Sequence, residues 1–413
     1  MPRRVHVVGG GLAGLSAAVE LADAGRQVVL HEATSHAGGR CRSYHDPALG
    51  MTIDNGNHLI LSGNTAATAY LEKIGARDRV AGPASAKFDF IDLATDERWT
   101  LDLGTGRLPL WIFDGKRRVP GTHPRDYLAI ARLLLRPGER AIGDIIPCSG
   151  RFYERLLEPV LVATLNNDPA AASAALAAAV MRETMAAGGN ACRPLIAREG
   201  LAAAFVDPAL GHLQKRGSEL RFGEGLRRME FTEDRVAALD FGEGDVAIGE
   251  TDAVVLAAPP EIAMKLVPGL TAPTEYRGIA NLHFRIDAAG SIPPIIGVVH
   301  GLSQWVFRFP GRISVTISNA DAVMKMPREE LAARVWAEVA SIAGLSGQMP
   351  PWQVVRERRA TFATLCEQER LRPKARTSWR NLFLAGDWTD TGLPPTIEGA
   401  VRSGMRAARL ATA

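Results

Sequence analysis

Three glycines at fixed spacing, Gly9-x-Gly11-x-x-Gly14, follow directly on an apolar run from Val5 to Val8. The run predicts a buried parallel strand. Gly9 permits a tight turn, Gly11 lets the backbone approach a pyrophosphate, and Gly14 lets a helix pack close to the strand. That helix continues through Leu15, Ala18 and Leu21, apolar at helical spacing, and stops near Gly25. A second strand, 27–30, leads to Glu32, where a nucleotide-binding strand–helix–strand unit needs an acceptor for ribose hydroxyls. The chain is therefore of the α/β class in at least one domain.

Gly38-Gly39-Arg40 comes next. Two glycines allow backbone strain and close approach to a ligand, and the guanidinium adds a fixed positive fork. The whole stretch resembles the FAD-binding fingerprint of the amine oxidase and phytoene desaturase superfamily. NAD enzymes share its first part and usually lack the Gly-Gly-Arg. The competing reading, a glycine-rich surface loop without a ligand, does not account for the extended spacing. No second fingerprint occurs: Gly223-x-Gly225 is followed by Arg228, and Gly242-x-Gly244 precedes Val246 without a helix start. A dedicated NAD(P)H domain is not expected, so reducing electrons come from an external donor, a partner or the substrate.

A second motif runs from Leu384 to Ala400 and contains Gly386-Asp387-Trp388, Pro394-Pro395 and Thr396-Ile397-Glu398. An apolar strand ends in Gly-Asp, and a turn then opens a helix whose first turn suits Pro394 or Pro395. In the superfamily that this resembles, Asp387 binds a ribityl hydroxyl and the amides near Thr396 and Ile397 face the flavin pyrimidine edge. A helix N-terminus offers free N–H groups and partial positive charge, which favours a reduced, anionic flavin. The plain alternative is a strand–turn–helix with Asp387 as a cap.

A third motif, Asp54-Asn55-Gly56-Asn57-His58 followed by Leu59-Ile60-Leu61, resembles a segment beside the flavin in phytoene desaturases and hydroxysqualene dehydroxylases. Asn57 stands where those proteins carry glutamine, and Ser62-Gly63-Asn64 replaces their Gly-Ala-Tyr. His58 is equally readable as a hydrogen-bonded structural histidine. Glu158-Pro159 leading to Leu165-Asn166-Asn167, and Gln304-Trp305-Val306-Phe307, are similar to segments of hydroxysqualene dehydroxylases, so the resemblance spans essentially the whole chain. It implies a Rossmann-like FAD-binding domain, discontinuous in sequence, with a mixed α+β substrate domain. It further implies reduction of hydroxysqualene, a long apolar isoprenoid, to squalene. Cofactor contacts are implied at Gly9, Gly11, Leu12, Ala13, Gly14, Glu32, Ala33, Gly39, Arg40, Asn55, Gly56, Asn57, His58, Leu226, Gly386, Asp387, Pro395, Thr396 and Ile397. His58 and Glu398 are the candidate acids. A polyene desaturase or isomerase would share these motifs. An amine oxidase would need an aromatic cage, and no tyrosine follows Tyr276. A lipid escort without redox chemistry would not need Glu32, Arg40 and Asp387.

With 413 residues the chain has room for two domains. The reading divides it into an FAD-binding domain from 1–85, 195–262 and 379–413, and a substrate domain from 86–194 and 263–378. The first insertion reads as largely helical, and the second as strands with one helix at 328–342. A net charge of +3 gives no argument for nucleic acid. Cys41, Cys148, Cys192 and Cys366 are scattered without ligand spacing, which predicts reduced thiols and no zinc site, in a cytoplasmic protein. Arg3-Arg4 before the apolar run is superficially like an export signal, but the run is short and serves as the first strand. The alanine-rich run 170–181 suits a buried or interfacial helix. The segments 108–118 and 127–136 set apolar residues beside Lys116, Arg117, Arg118, Arg132 and Arg136. Such a surface suits anionic headgroups, and peripheral contact with the inner face of a membrane is expected; the alternative is a buried apolar face with solvated arginines.

Overall fold

Five short strands run parallel in the order Glu219–Phe222, Gln27–Glu32, Arg4–Val8, Ala253–Leu256, Leu382–Leu384. The computed structural model describes residues 4–242, 244–287 and 290–413, so Arg3 of the N-terminal pair lies outside the described residues. The strands are apolar on both faces, as a covered parallel sheet requires. Val5, Val7, Val28, Leu30, Val255 and Phe383 face the helices Leu12–Asp23, Asp207–Lys215 and Ile397–Thr412. Val8, Val254, Leu256, Leu382 and Leu384 face an antiparallel meander of Arg228–Phe231, Val236–Asp240 and Asp245–Ala247. The first and last helices touch closely. A Cβ on Gly404 would lie 2.1 Å from the Ala13 carbonyl oxygen, and Ser16 Oγ donates to Val401 O at 2.9 Å.

A seven-stranded sheet takes the order Trp352–Phe362, Tyr276–Arg285, Arg312–Ile317, Trp305–Phe309, Ile295–Val299, Ala86–Asp92, Glu97–Gly104. Every pairing is antiparallel except Ile295–Val299 with Ala86–Asp92. Helix Arg328–Ala343 covers one face, and the helical stretch from Leu110 to Glu183 packs on the other through Trp111, Tyr127, Leu157, Leu161 and Trp305. The expectation that 86–194 is largely helical is thus corrected, because the insertion opens with a β-hairpin. Trp99, Leu101 and Leu103 are buried at alternate positions, with Thr100 and Asp102 between them; this is a strand period.

Two helix starts also differ from expectation. The alanine-rich helix spans Ala174–Glu183, because Ser173 caps it by accepting from the Leu176 amide. The last helix begins at Ile397 with Thr396 as its cap, so Pro394 and Pro395 precede the helix and neither lies in its first turn. A third sheet joins Leu59–Leu61 and Val80–Ala81 to Pro194–Ala197, which ties the segment after His58 to the return of the first insertion.

Candidate active site

The glycine turn has the geometry its spacing demands. Gly9 adopts φ +111°, and a Cβ there would lie 2.6 Å from the Ala257 carbonyl oxygen. A Cβ on Gly14 would lie 1.8 Å from the Gly9 oxygen. Both positions are closed by the protein itself. Gly11 differs: its φ is −73°, and a Cβ would meet nothing within 4 Å. Open space over Gly11 is what a pyrophosphate cradle requires. Gly11 caps the following helix without a side chain, and the Ala13 amide makes no hydrogen bond among the described residues. The second glycine loop closes against the first, with the Gly38 amide donating to Gly10 O at 2.8 Å and Gly39 at φ +55°.

Glu32 ends its strand with Oε2 accepting from the Gly10 amide at 2.8 Å and Oε1 from the Thr34 amide at 2.9 Å. Beside it the Glu224 amide donates to Glu32 O, and a Cβ on Gly225 would lie 3.5 Å from Ala33 Cβ. Glu32 and Ala33 therefore lie beside the Glu224–Gly225 turn, which leads on to Leu226.

Arg40 connects the two ends of the chain. Its guanidinium donates to Asp387 Oδ2 at 2.7 Å and to Ala360 O at 2.5 Å. Asp387 is buried while the Arg40 side chain keeps 42% of its surface, so this arginine retains free donors. Gly386 adopts φ +150°, with its amide donating to Ser403 Oγ. Thr396 Oγ1 accepts from the Gly399 amide, which leaves the Ile397 and Glu398 amides without acceptors among the described residues. Pro395 precedes that cap. Trp388 is no part of a cage: it is buried, and its indole N–H donates to Ala258 O at 3.1 Å.

The 54–58 segment is held from several sides. The Asn55 amide donates to Arg42 O at 3.0 Å. Asp54 Oδ1 accepts from Ser43 Oγ and the Leu201 amide, which fixes the start of another helix. A Cβ on Gly56 would lie 3.1 Å from Asn281 Nδ2. Asn57 Nδ2 donates to Thr316 Oγ1 at 3.1 Å. His58 makes no hydrogen bond among the described residues, so it is not the tethered structural histidine weighed above. Burial first, and the nearby Arg40 charge second, lower its pKa to about 4, against a smaller opposing effect of Asp54. His58 is neutral at pH 7 and keeps accessible surface.

Glu398 proves unsuited to the acid role. It is 2% exposed, and its oxygens accept from the Ala66 amide at 3.0 Å and the Ala67 amide at 2.8 Å. Arg402 adds a further donor at 2.7 Å. The carboxylate caps the N-terminus of the helix Thr65–Lys73. A carboxylate whose oxygens accept from three donors is committed to capping. Sequence reasoning erred because position two of a helix allows both uses.

Three residues that position the site went unread. Arg372 is buried and donates to Asp387 O, Thr389 O and Thr391 Oγ1, so it shapes the Asp387 turn. Asn281 and Thr316 reach the Asn55–Asn57 loop from the central strands of the large sheet. Nothing local in sequence marks them, since they act across more than 200 positions. The segments that carried the family resemblance are structural: Asn166 bridges Thr361 Oγ1 and the Asn319 amide, and the Gln304 amide group pairs with the Ser318 backbone.

An open glycine cradle, free amides at two helix N-termini, an acid at the end of the second strand and the Arg40–Asp387 pair define an FAD-dependent oxidoreductase. A model of the flavin containing amine oxidoreductase family matches residues 12–412. The hydroxysqualene dehydroxylase of Rhodopseudomonas palustris is 56% identical, covering 100% of this chain and 99% of that protein. The hydroxysqualene dehydroxylase of Sinorhizobium fredii is 52% identical, with the same coverage of each. Identity falls to 24% with the 15-cis-phytoene desaturase of Narcissus pseudonarcissus, over 98% of this chain and 78% of that one. Among solved structures, an oxidoreductase from Methanosarcina mazei superposes with a TM-score of 0.72 at 14% identity, covering 98% and 100% of the two chains. The chain belongs to the flavin-containing amine oxidoreductase family and, within it, to the hydroxysqualene dehydroxylases.

Proposed function

We propose that this protein reduces hydroxysqualene to squalene. The observation that carries the reading is end-to-end identity above one half to relatives of that name, together with a cofactor cradle that retains its glycines, acid and arginine. FAD, when bound and reduced, supplies the hydride that replaces the allylic hydroxyl. The C–O bond breaks, a C–H bond forms with the hydride, and the hydroxyl leaves as water with the second hydrogen of the two-electron-reduced cofactor, so that ROH and FADH2 would give RH, water and FAD. Ala13 at one helix start, and Ile397 and Glu398 at another, offer amides to the cofactor's anionic groups. Bound FAD would be held by Arg40 and Asp387, with Glu32 as an acceptor for its ribose hydroxyls. His58, neutral, offers a ring N–H to the departing oxygen, and the adjacent Arg40 keeps the local potential positive where negative charge gathers. Anaerobic single turnover tests the reading: pre-reduced enzyme mixed with hydroxysqualene forms squalene stoichiometrically with flavin, and does not desaturate phytoene. Absence of squalene refutes it.

The substrate reading extends to the protein surface. Leu108, Leu110, Phe113, Leu128 and Leu135 are all exposed, and they account for five of the seven exposed large apolar residues among those described. They alternate with Arg107, Lys116, Arg118, Arg125, Arg132 and Arg136. No helix among the described residues is long and apolar enough to cross a membrane. This patch sits in the headgroup layer of the inner membrane face, where the isoprenoid is drawn in. Electrons arrive from an external donor, since a single nucleotide fingerprint is present. Flotation with anionic liposomes, lost in high salt, supports the docking, whereas absence from the lipid fraction at every salt concentration removes it.

A further inference from the structure

The helices Thr65–Lys73 and Ile397–Thr412 pack side by side and leave an open groove of about 680 Å³. Ala66, Ala69 and Met405 line it between four cations, Lys73, Arg402, Arg406 and Arg409. The last three recur at helical spacing and share one face. One carboxylate, Glu20, also lines the groove and is taken up by Lys73 at 2.6 Å. Arg402 is committed to Glu183 and Glu398. Arg406 and Arg409 differ: both are exposed, and neither forms a salt bridge among the described residues. Arg406 donates to Asp390 O at 3.1 Å and keeps its other donors. Arg26 extends the positive line, donating to Thr412 O at the far end of the same helix.

The surroundings choose the occupant. No side-chain atom lining the groove is a buried polar group without a partner, so nothing there is built to hold a small anion. None of the exposed large apolar residues lies in it, so nothing there dips into lipid. Exposed cations beside small side chains suit the acidic face of another protein, which they steer and orient. Weak redox encounters need little area beyond that. The groove also lies behind the helix start whose Ile397 and Glu398 amides are offered to the cofactor. Arg402 and Arg406 stand about 8 Å and about 14 Å along the helix from that start. We propose that this groove docks an acidic one-electron carrier protein, which reduces the flavin. Two reduced carriers dock in turn and each gives one electron; solvent supplies two protons, so FAD becomes FADH2 and both carriers leave oxidised. This rests on the reading that electrons come from an external donor. Flavin reduction is followed by absorbance without hydroxysqualene, so failure of the dehydroxylation assay leaves it standing.

The test mixes the purified yellow protein anaerobically with reduced flavodoxin, an acidic one-electron carrier. The second-order rate constant falls as salt rises. Arg406→Glu combined with Arg409→Glu lowers it about tenfold or more at low salt, and parent and variant converge toward about 0.5 M salt. Binding of oxidised flavodoxin to the oxidised protein, read by calorimetry, weakens in step. Arg406→Lys combined with Arg409→Lys keeps the charge and stays within about threefold of the parent. Flavin content, and photoreduction with EDTA and light, which needs no docking, match the parent in every variant. Equal rates and affinities in parent and charge-reversed protein overturn the proposal, as does a parent rate independent of salt or no reduction by flavodoxin. Reduction by NADPH alone at the carrier's rate overturns it too. Loss of liposome flotation in the charge-reversed variant assigns the groove to the lipid surface instead.

Discussion

Glu398→Gln separates a structural anion from a proton donor. Both carboxylate oxygens accept amide hydrogens, and Arg402 donates to one of them. Hydrogen bonds to a charged group contribute about 1.5–3 kcal/mol, against about 0.5–1.5 for neutral pairs, so losing the charge costs about 1 kcal/mol at each amide. One oxygen also becomes an NH2 group facing a donor, which adds about 1 kcal/mol. Arg402 keeps both bonds to Glu183, so its own loss is small. The sum is about 3 kcal/mol. At about 2.1 cal/mol/K per residue, unfolding 413 residues cooperatively carries about 0.9 kcal/mol/K, so the melting midpoint falls by about 3–4 °C. The glutamine retains the backbone amide at the helix end, so flavin content and single-turnover rate remain near the parent values. The assay pairs a thermal melt with anaerobic turnover of the purified yellow protein. A rate loss of about a hundredfold or more without a lower midpoint would refute the capping role and return Glu398 to the reaction, since removing a general acid costs about that much.

Gly11→Val places a side chain where the polypeptide leaves room, so the apoprotein should melt like the parent while losing FAD by absorbance; Gly9→Val, against the Ala257 oxygen at positive φ, should fail to fold, and retained yellow colour in Gly11→Val contradicts the cradle. Replacing Leu110 and Phe113 together with serine removes about 1.5–3 kcal/mol of apolar burial per side chain if both enter lipid fully, so liposome partitioning should fall by at least about tenfold while soluble FAD content is unchanged. His6 and His283 are buried, and burial lowers them to about 4 and about 3. Because these values lie below the unfolded 6.5, stability is complete above pH 6.5 and is lost as pH falls toward the folded values. At about 1.4 kcal/mol per pKa unit, the two together cost on the order of 6 kcal/mol by pH 4, and melts from pH 7 to pH 4 should steepen in that window. A His283→Asn variant should flatten the curve, and an unchanged curve would show that this residue takes no part.

Legibility in the sequence followed range. Gly9, Gly11 and Gly14 could be read because strand, turn and helix act within a few residues of one another, and the packing of each glycine follows from local geometry. The hairpin at 86–104 was misread although Trp99, Leu101 and Leu103 carry the alternation, because Phe88, Phe90 and Ile91 break it on the partner strand and the helical stretch that follows dominated the window. Glu398 was misread because its partners, Ala66 and Ala67, lie more than 300 positions away. Asn281 and Thr316 were invisible for the same reason: an asparagine and a threonine in strands carry no signal until the sheet brings them under the 55–57 loop. The neutral state of His58 likewise needed the folded surroundings, since burial sets it.

The helix Ile397–Thr412 lies flat against Leu12–Asp23 through Gly404, and strand Leu382–Leu384 borders the sheet that begins at Arg4. During synthesis on a ribosome, the opening segment therefore emerges well before the strand that borders its sheet and the helix that covers Leu12–Asp23. A chain cut before Leu382 would leave this sheet without its fifth strand and Leu12–Asp23 without the helix that packs on it, so such a truncation should cost both folding and cofactor retention.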